Sequence, residues 1–318
     1  MENEVHVNGQ PVPWERATIE KLLFAELRER RAARRWRTLR TALWLGLIGA
    51  LAWLLWSDHL PSATPSSAHT AMVAIKGEIS DAGEGSAEYI LPALRSAMQD
   101  KGAQALVLLI NSPGGSPVQA GLIHDEVRRL RALHDKPVYA VVEESCASAA
   151  YYIAAGADRI YVDKASLVGS IGVLINGFGF TGTLDKLGVE RRLLTAGENK
   201  GFLDPFSPQS DAQRAHAQRM LDQIHQQFIG VVRQGRGERL KETPEMFSGL
   251  FWTGEQAVQL GLADGLGSLD MVAREVVKAE KLVDYTNKEN IAERFAKRLG
   301  ASVGQGAMAA LRGGAGWR

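Results

Sequence analysis

From residue 71 onward, apolar and polar positions follow two rhythms. Short runs of aliphatic and β-branched residues alternate with longer stretches spaced as amphipathic helices. The runs at 72–75, 105–110, 137–142, 159–162, 171–175 and 190–194 predict strands. The spacing predicts helices over 87–99, 117–133, 211–232, 255–260 and 269–279. Strands alternating with helices imply an α/β domain built on a mostly parallel sheet. No internal repeat interrupts the pattern.

A different pattern precedes it. Residues 39–56 are apolar apart from Arg40 and Thr41, and seven arginines between Arg28 and Arg40 abut them. As a helix these residues would reach about 27 Å, near the roughly 30 Å of a hydrocarbon core. Trp36 and Trp56 stand at the two ends, where interfacial anchors sit. A cleaved signal peptide fits less well, because the basic stretch lies far from the start and no small-x-small site precedes the linker. The run predicts a single transmembrane helix, and the arginines place the N-terminus in the cytoplasm. The expected organisation is a basic cytoplasmic segment over 1–38, the membrane helix over 39–56 and a Pro/Ser/Thr linker over 57–70. An α/β domain over 71–285 and a basic, Gly/Ala-rich tail over 286–318 follow.

Composition adds two limits. With 45% hydrophobic and 23% charged residues the chain has the apolar content for a sizeable core. The net charge of +1 is uneven: both ends are basic and the body between them is acidic, which argues against nucleic acid as its partner. Cys146 is the only cysteine, so no intramolecular disulfide exists.

Candidate chemistry gathers where predicted strands end. Ser148 lies between the strand at 137–142 and a small-residue helix, beside helix N-terminal N–H groups. Read alone, such a serine is an N-cap or a packing residue. Asn111-Ser112-Pro113-Gly114-Gly115 follows another strand, and its glycines let backbone N–H groups approach a ligand closely. It is no nucleotide fingerprint, lacking both G-x-G-x-x-G and a Walker lysine. Lys200 lies in a loop after the run at 190–194; a lysine amine in an apolar setting serves as a general base, whereas a surface lysine does not. His124, His134, His216 and His225 fall on or near helices, away from strand ends, so a Ser-His-Asp triad is disfavoured. Metal-ligand spacing is absent, and Cys146 reads as a small buried thiol.

Four blocks together resemble one family. They are Ser112-Pro113-Gly114-Gly115 after a strand, Ala147-Ser148 followed by Tyr151-Tyr152-Ile153-Ala154, Val168-Gly169-Ser170-Ile171-Gly172, and the late run from Trp252 to Asp264. In this order they look like the signal peptide peptidase A (SppA/SohB) family of membrane-anchored serine proteases. The resemblance spans roughly 72–279, with one copy of the motifs as in single-domain members. It implies a ClpP/crotonase-like fold over 71–285 and a serine endopeptidase without cofactor or metal. It matches Ser148 to the nucleophile, Lys200 to the general base and Ser170 to a serine that orients the lysine. Gly114 and Ala149 match the oxyanion-hole positions. It further implies remnant signal peptides or other apolar peptides as substrates, a homo-oligomer whose serine and lysine come from neighbouring protomers, and a site on the periplasmic side of a bacterial inner membrane.

Two local departures stand out. This chain has Ser148-Ala149-Ala150 where the family usually has Ser-Gly-Gly, and Glu198-Asn199-Lys200-Gly201 where aspartate usually follows the lysine. Lys186 and Lys164 are the other lysines within reach in sequence. A catalytically silent scaffold of the same fold is the rival expectation. An acyl-CoA enzyme of the crotonase type fits an extracytoplasmic domain poorly.

Overall fold

A computed structural model describes residues 6–7, 10–11, 34–50 and 67–287 of the chain. Two compact units divide it, one of 1–63 with 290–318 and the other Thr64–Glu289. Within the first, His6–Val7 pairs antiparallel with Gln10–Pro11, and residues 34–50 are helical with exposed side chains. The expected membrane helix at 39–56 continues into residues outside the described set, as do most of the linker and the tail. Among the described residues no helix is long and apolar enough to cross a membrane.

The second unit is an α/β layer structure. Its strands are β1 (His69–Lys76), β2 (Ala103–Ser112), β3 (Val138–Ala147), β4 (Arg159–Val162), β5 (Leu167–Gly169), β6 (Phe251–Thr253), β7 (Gly265–Leu266) and β8 (Leu282–Asp284). The sheet order is β8-β1-β2-β3-β4-β7, all parallel, with β5 paired to β3 and β6 antiparallel to β5. Side-chain alternation divides the apolar run of β2 between two faces. Leu106, Leu108 and Ile110 face the larger core, while Val107 and Leu109 join a smaller cluster with Val141, Tyr161 and Val272. Each such aliphatic side chain contributes roughly 1.5–3 kcal/mol of burial free energy.

Helices α1 (Ala87–Gln99) and α2 (Pro117–His134) share that larger core, through Ile90 and Leu94 on one and Ile123, Val127 and Leu130 on the other. Local signals define their ends. Ser86 Oγ accepts the Tyr89 N–H, Ser116 Oγ accepts the Gln119 N–H with Pro117 in the first turn, and Asp135 closes α2 in the left-handed region. Helix α3 (Ala149–Ala154) is short and small-sided, and α4 (Thr181–Leu187) buries none of its residues. The long α5 (Asp211–Arg236) opens on a Ser210/Gln213 capping box.

At the far end of α5, Arg236 is 1% exposed; its Nε donates to the Gly261 carbonyl and its Nη1 to Asp264 at 2.8 Å. Arg239 also reaches Asp264, and Asp264 accepts the Ile160 N–H. Truncating Arg236 would leave that carboxylate short of a partner in a buried setting. Arg236→Ala is therefore expected to destabilise the unit by about 3 kcal/mol, read from urea or thermal unfolding.

Three sequence expectations are corrected here. Strand β3 does not stop at Val142. Residues 138–142 pair with β2 and β4, then Cys146 pairs with Ser112, and 145–147 pair with β5. The polar Glu143-Glu144 pair hides this continuation, because pairing is a backbone property. Conversely, the runs at 171–175 and 190–194 are not strands. Neither run has a neighbouring strand among the described residues, and a run without a ladder partner does not remain extended as sheet. Instead 174–200 is mostly exposed, including Leu174, Phe178 and Leu194. Local contacts hold the segment's shape: Phe180 stacks on Phe206 at 5.4 Å, and Arg191 lies over Phe206 and pairs with Asp204 at 2.7 Å.

Candidate active site

The end of β3 and the start of α3 meet at Ser148. Its backbone has φ +52° and ψ −123°, a region that L-residues rarely adopt. The conformation costs on the order of 1–3 kcal/mol and is held from both sides. The Ser148 N–H donates to the Gly169 carbonyl at 2.8 Å, and its carbonyl accepts the Tyr152 N–H at 3.0 Å. The hydroxyl makes no capping bond to α3. Ser148 occupies the N-cap position without doing an N-cap's work, which removes the simplest structural reason for a serine there.

Register brings a second serine alongside. Cys146 pairs with Val168 and Ala147 with Gly169, so Ser148 and Ser170 leave adjacent strands at the same level. Ser170 also has positive φ, +50°, and its N–H donates to the Leu250 carbonyl at 2.8 Å. Both serines line a cleft of about 500 Å³, together with Gly115, Pro117, Ala149, Tyr152, Gly172, Val173, Leu174, Ser248 and Gly249. Among the described residues no charged side chain lines it. Such a cleft suits an uncharged, largely apolar ligand.

The glycine loop abuts the nucleophile candidate. A Cβ on Gly114, whose φ is +104°, would stand 2.7 Å from Ser148 Cβ and 2.7 Å from the Ala147 carbonyl oxygen. Only a residue without a side chain fits. Gly114→Ala is expected to lower any Ser148-dependent turnover by about 100-fold, since the intruding methyl must displace the serine by tenths of an ångström or more. Steady-state kinetics on a variant shown to be folded would read this.

The Gly114 N–H, however, is directed at Ser112 Oγ, 3.2 Å away and buried, so it does not face the cleft. Gly115 is the exposed member of the pair and the one that lines the cleft. The Ala149 N–H is the first of α3, where helix N–H groups lack intrahelical partners. Ala149 itself has no positive φ. The demanding conformation falls on Ser148, which is why alanine is accommodated where glycine is usual.

The remaining candidates lie elsewhere. Lys200 is exposed in a turn, its N–H donating to the Gly197 carbonyl at 3.1 Å, and it does not line the cleft. Lys186 and Lys164 are exposed and do not line it either. His225 Nε2 lies 3.1 Å from the Ile171 carbonyl oxygen. His124 is buried against Tyr152, and desolvation holds its imidazole below the ordinary value. Neither histidine lines the cleft. Cys146 is fully buried and desolvation pushes its thiol well up, so it is a packing residue and a poor nucleophile.

Comparison with known proteins shows the family. The sequence model of peptidase family S49 matches residues 131–284. A Synechocystis protein described as a candidate protease is 30% identical over 209 residues, covering 65% of this chain and 73% of its own length. The chain belongs to peptidase family S49. A candidate signal peptide peptidase SppA of Enterococcus faecium is 31% identical over 222 residues, covering 67% of this chain and 64% of that protein. A Brucella melitensis protein named Na(+)/H(+) antiporter NhaA is 49% identical over 178 residues, covering 55% of this chain. The chain spans only 24% of that protein's length. Within the S49 match lie Ser148, Ala149, Ser170 and Lys200, whereas Gly114 and Gly115 precede it.

Sequence reasoning located Ser148 and Ser170 from their blocks, and the structure brings them together at one cleft. It named the Gly114-Gly115 loop but gave the oxyanion position to Gly114, and it missed Tyr152 as a cleft residue. The signal for Tyr152 was present: it stands four residues after Ser148 on α3, and helical side chains point back over the preceding turn.

Proposed function

We propose that this chain is a membrane-anchored serine endopeptidase using a Ser148/Lys200 dyad, acting on cleaved signal peptides or other apolar peptides near the bilayer. The observation that carries the reading is Ser148 itself: a hydroxyl free of structural duty, on a strained backbone, in an uncharged cleft beside the N–H groups of Ala149 and Gly115. In this scheme a lysine amine takes the Ser148 proton as Oγ attacks the peptide carbonyl carbon. The Ala149 and Gly115 N–H groups donate to the resulting oxyanion. The lysine returns the proton to the departing amine, leaving an ester on Ser148. Water then attacks that ester, giving up a proton to the lysine, and the serine is regenerated as the carboxylic product leaves.

Lys200 reaches this chemistry from a neighbouring protomer. The exposed segment that carries it, with Leu174, Phe178 and Leu194 open to solvent, is supplied with apolar surface to lie against a second copy. The active unit is accordingly a homo-oligomer and the monomer is inert. Membrane anchorage rests on the apolar run at 39–56 behind its arginines, with the peptidase unit on the periplasmic side of a bacterial inner membrane. An apolar, uncharged cleft fits such substrates, whose hydrophobic segments remain at the bilayer after cleavage.

A silent scaffold of the same fold is the second reading, favoured by the exposed position of Lys200 and its Glu198-Asn199-Lys200-Gly201 surroundings. Hydrolysis of a fluorogenic apolar peptide by the purified full chain, fractionated by size, separates the two. Activity confined to the oligomer supports the peptidase. An intact oligomer that cleaves no peptide between neutral and alkaline pH supports the scaffold.

A further inference from the structure

The loop between β2 and α2 contains two consecutive glycines, both with positive φ, +104° at Gly114 and +145° at Gly115. Consecutive glycines let peptide planes turn over at small cost, so the direction of each N–H has to be set by something else. Three hydrogen bonds set it here. The Gly114 N–H donates to Ser112 Oγ at 3.2 Å, the Gly114 carbonyl accepts the Ile79 N–H at 2.8 Å, and the Ser116 N–H donates to the Ile79 carbonyl at 2.7 Å. In a planar trans peptide the N–H points opposite to the preceding C=O. With the Gly114 carbonyl drawn to Ile79, the Gly115 N–H faces the other way, and Gly115 lines the cleft with Ser148 and Ala149.

Ser112 is the only side chain among these holding groups. It is fully buried at the end of β2, beside the bulge that pairs it with Cys146, and its carbonyl accepts Ser145 Oγ at 3.3 Å. A buried hydroxyl is costly unless it is bonded. The bond it makes within the loop is to the Gly114 N–H, which anchors the peptide plane next to the one that carries the Gly115 N–H. We infer that Ser112 is a positioning residue of the peptidase site: its hydroxyl holds the Gly114-Gly115 loop in the orientation that presents the Gly115 N–H to the oxyanion. This rests on the reading of Ser148 as nucleophile. Ser112 does not touch the substrate; it adds a side-chain anchor to a flexible glycine pair that is otherwise held by the two backbone bonds to Ile79.

The test compares the wild-type full-length chain with Ser112→Ala, Ser112→Thr and Ser148→Ala, each checked for thermal unfolding and oligomeric state. Two quantities are read: kcat and KM on a fluorogenic apolar peptide, and inhibition by a peptide boronate, whose tetrahedral adduct places an oxygen at the oxyanion position. Ser112→Ala is expected to lose about 10–100-fold in kcat with KM within about threefold, and to bind the boronate more weakly by a similar factor. Ser112→Thr, which keeps the hydroxyl, recovers most of both. If the added methyl unfolds Ser112→Thr, the parallel loss of kcat and boronate affinity in a folded Ser112→Ala still decides. Unchanged kcat in Ser112→Ala, a loss confined to KM, or undiminished boronate binding overturns the inference. An inert wild type, or a Ser148→Ala variant as active as wild type, removes the peptidase reading itself and this inference with it. Those results are distinct from a normal Ser148 dependence with an indifferent Ser112.

Discussion

Ser148→Ala is expected to reduce peptide hydrolysis by about 10⁴-fold or more while changing stability by less than roughly 0.5 kcal/mol. Both halves of that result matter. Loss of activity follows from loss of the nucleophile; the unchanged stability follows from a hydroxyl that caps no helix. A serine retained for packing or capping would instead cost about 1 kcal/mol on truncation. Ser148→Gly sharpens the contrast. At φ +52° and ψ −123° a glycine relieves strain that serine and alanine both bear. This variant is therefore expected to be as inactive as the alanine one, yet more stable than wild type by roughly 1 kcal/mol. Thermal unfolding beside peptide hydrolysis reads both. A Ser148→Gly variant less stable than wild type would mean that the backbone there is not strained and the serine has a structural job.

Lys200→Ala is expected to be comparably inactive, and to be rescued in trans. The lysine is exposed and absent from the cleft of its own chain, so a shared site needs two protomers. Ser148→Ala supplies an intact lysine and Lys200→Ala an intact serine. Co-expressed in equal amounts and assembled at random, they should restore about a quarter of the sites of the wild-type oligomer, whereas either alone restores none. Size-exclusion chromatography with hydrolysis assays on the mixed and single assemblies checks this. Recovery at that level would place serine and lysine on neighbouring chains. Failure to recover, with mixed oligomers present, would mean that each site is built within one chain. A Lys200→Ala variant with wild-type activity would mean that another base serves Ser148.

Much of the unit was legible because its signals are local. The helix at Ala87–Gln99 and the strand at Arg159–Val162 have the bounds that their periodicity predicts, and α2 differs by a single residue. Capping serines and Pro117 mark helix starts through bonds made within three residues. The Ser148 block was recognisable for the same reason, as a β-branched strand running into small helix residues. The buried, inert state of Cys146 also follows from a small apolar context. The motifs that led to family S49 lie along single segments and needed no contact map.

What the tertiary structure decided is everything that depends on partners distant in sequence. Whether a short run becomes a strand depends on a ladder neighbour, so 171–175 and 190–194 stay out of the sheet. The three-residue strands Leu167–Gly169 and Phe251–Thr253, too short for any periodicity, join it. The pairing of Ala147 with Gly169 sets Ser148 beside Ser170. Ile79, from the segment after β1, donates its N–H to the Gly114 carbonyl and joins Ser112 in holding the Gly114-Gly115 loop. Composition and spacing settle which residues are capable of chemistry, because side-chain type and local propensity are properties of a segment. Hydrogen-bond direction settles which of them meet, and direction exists only once remote backbone segments have been brought into register.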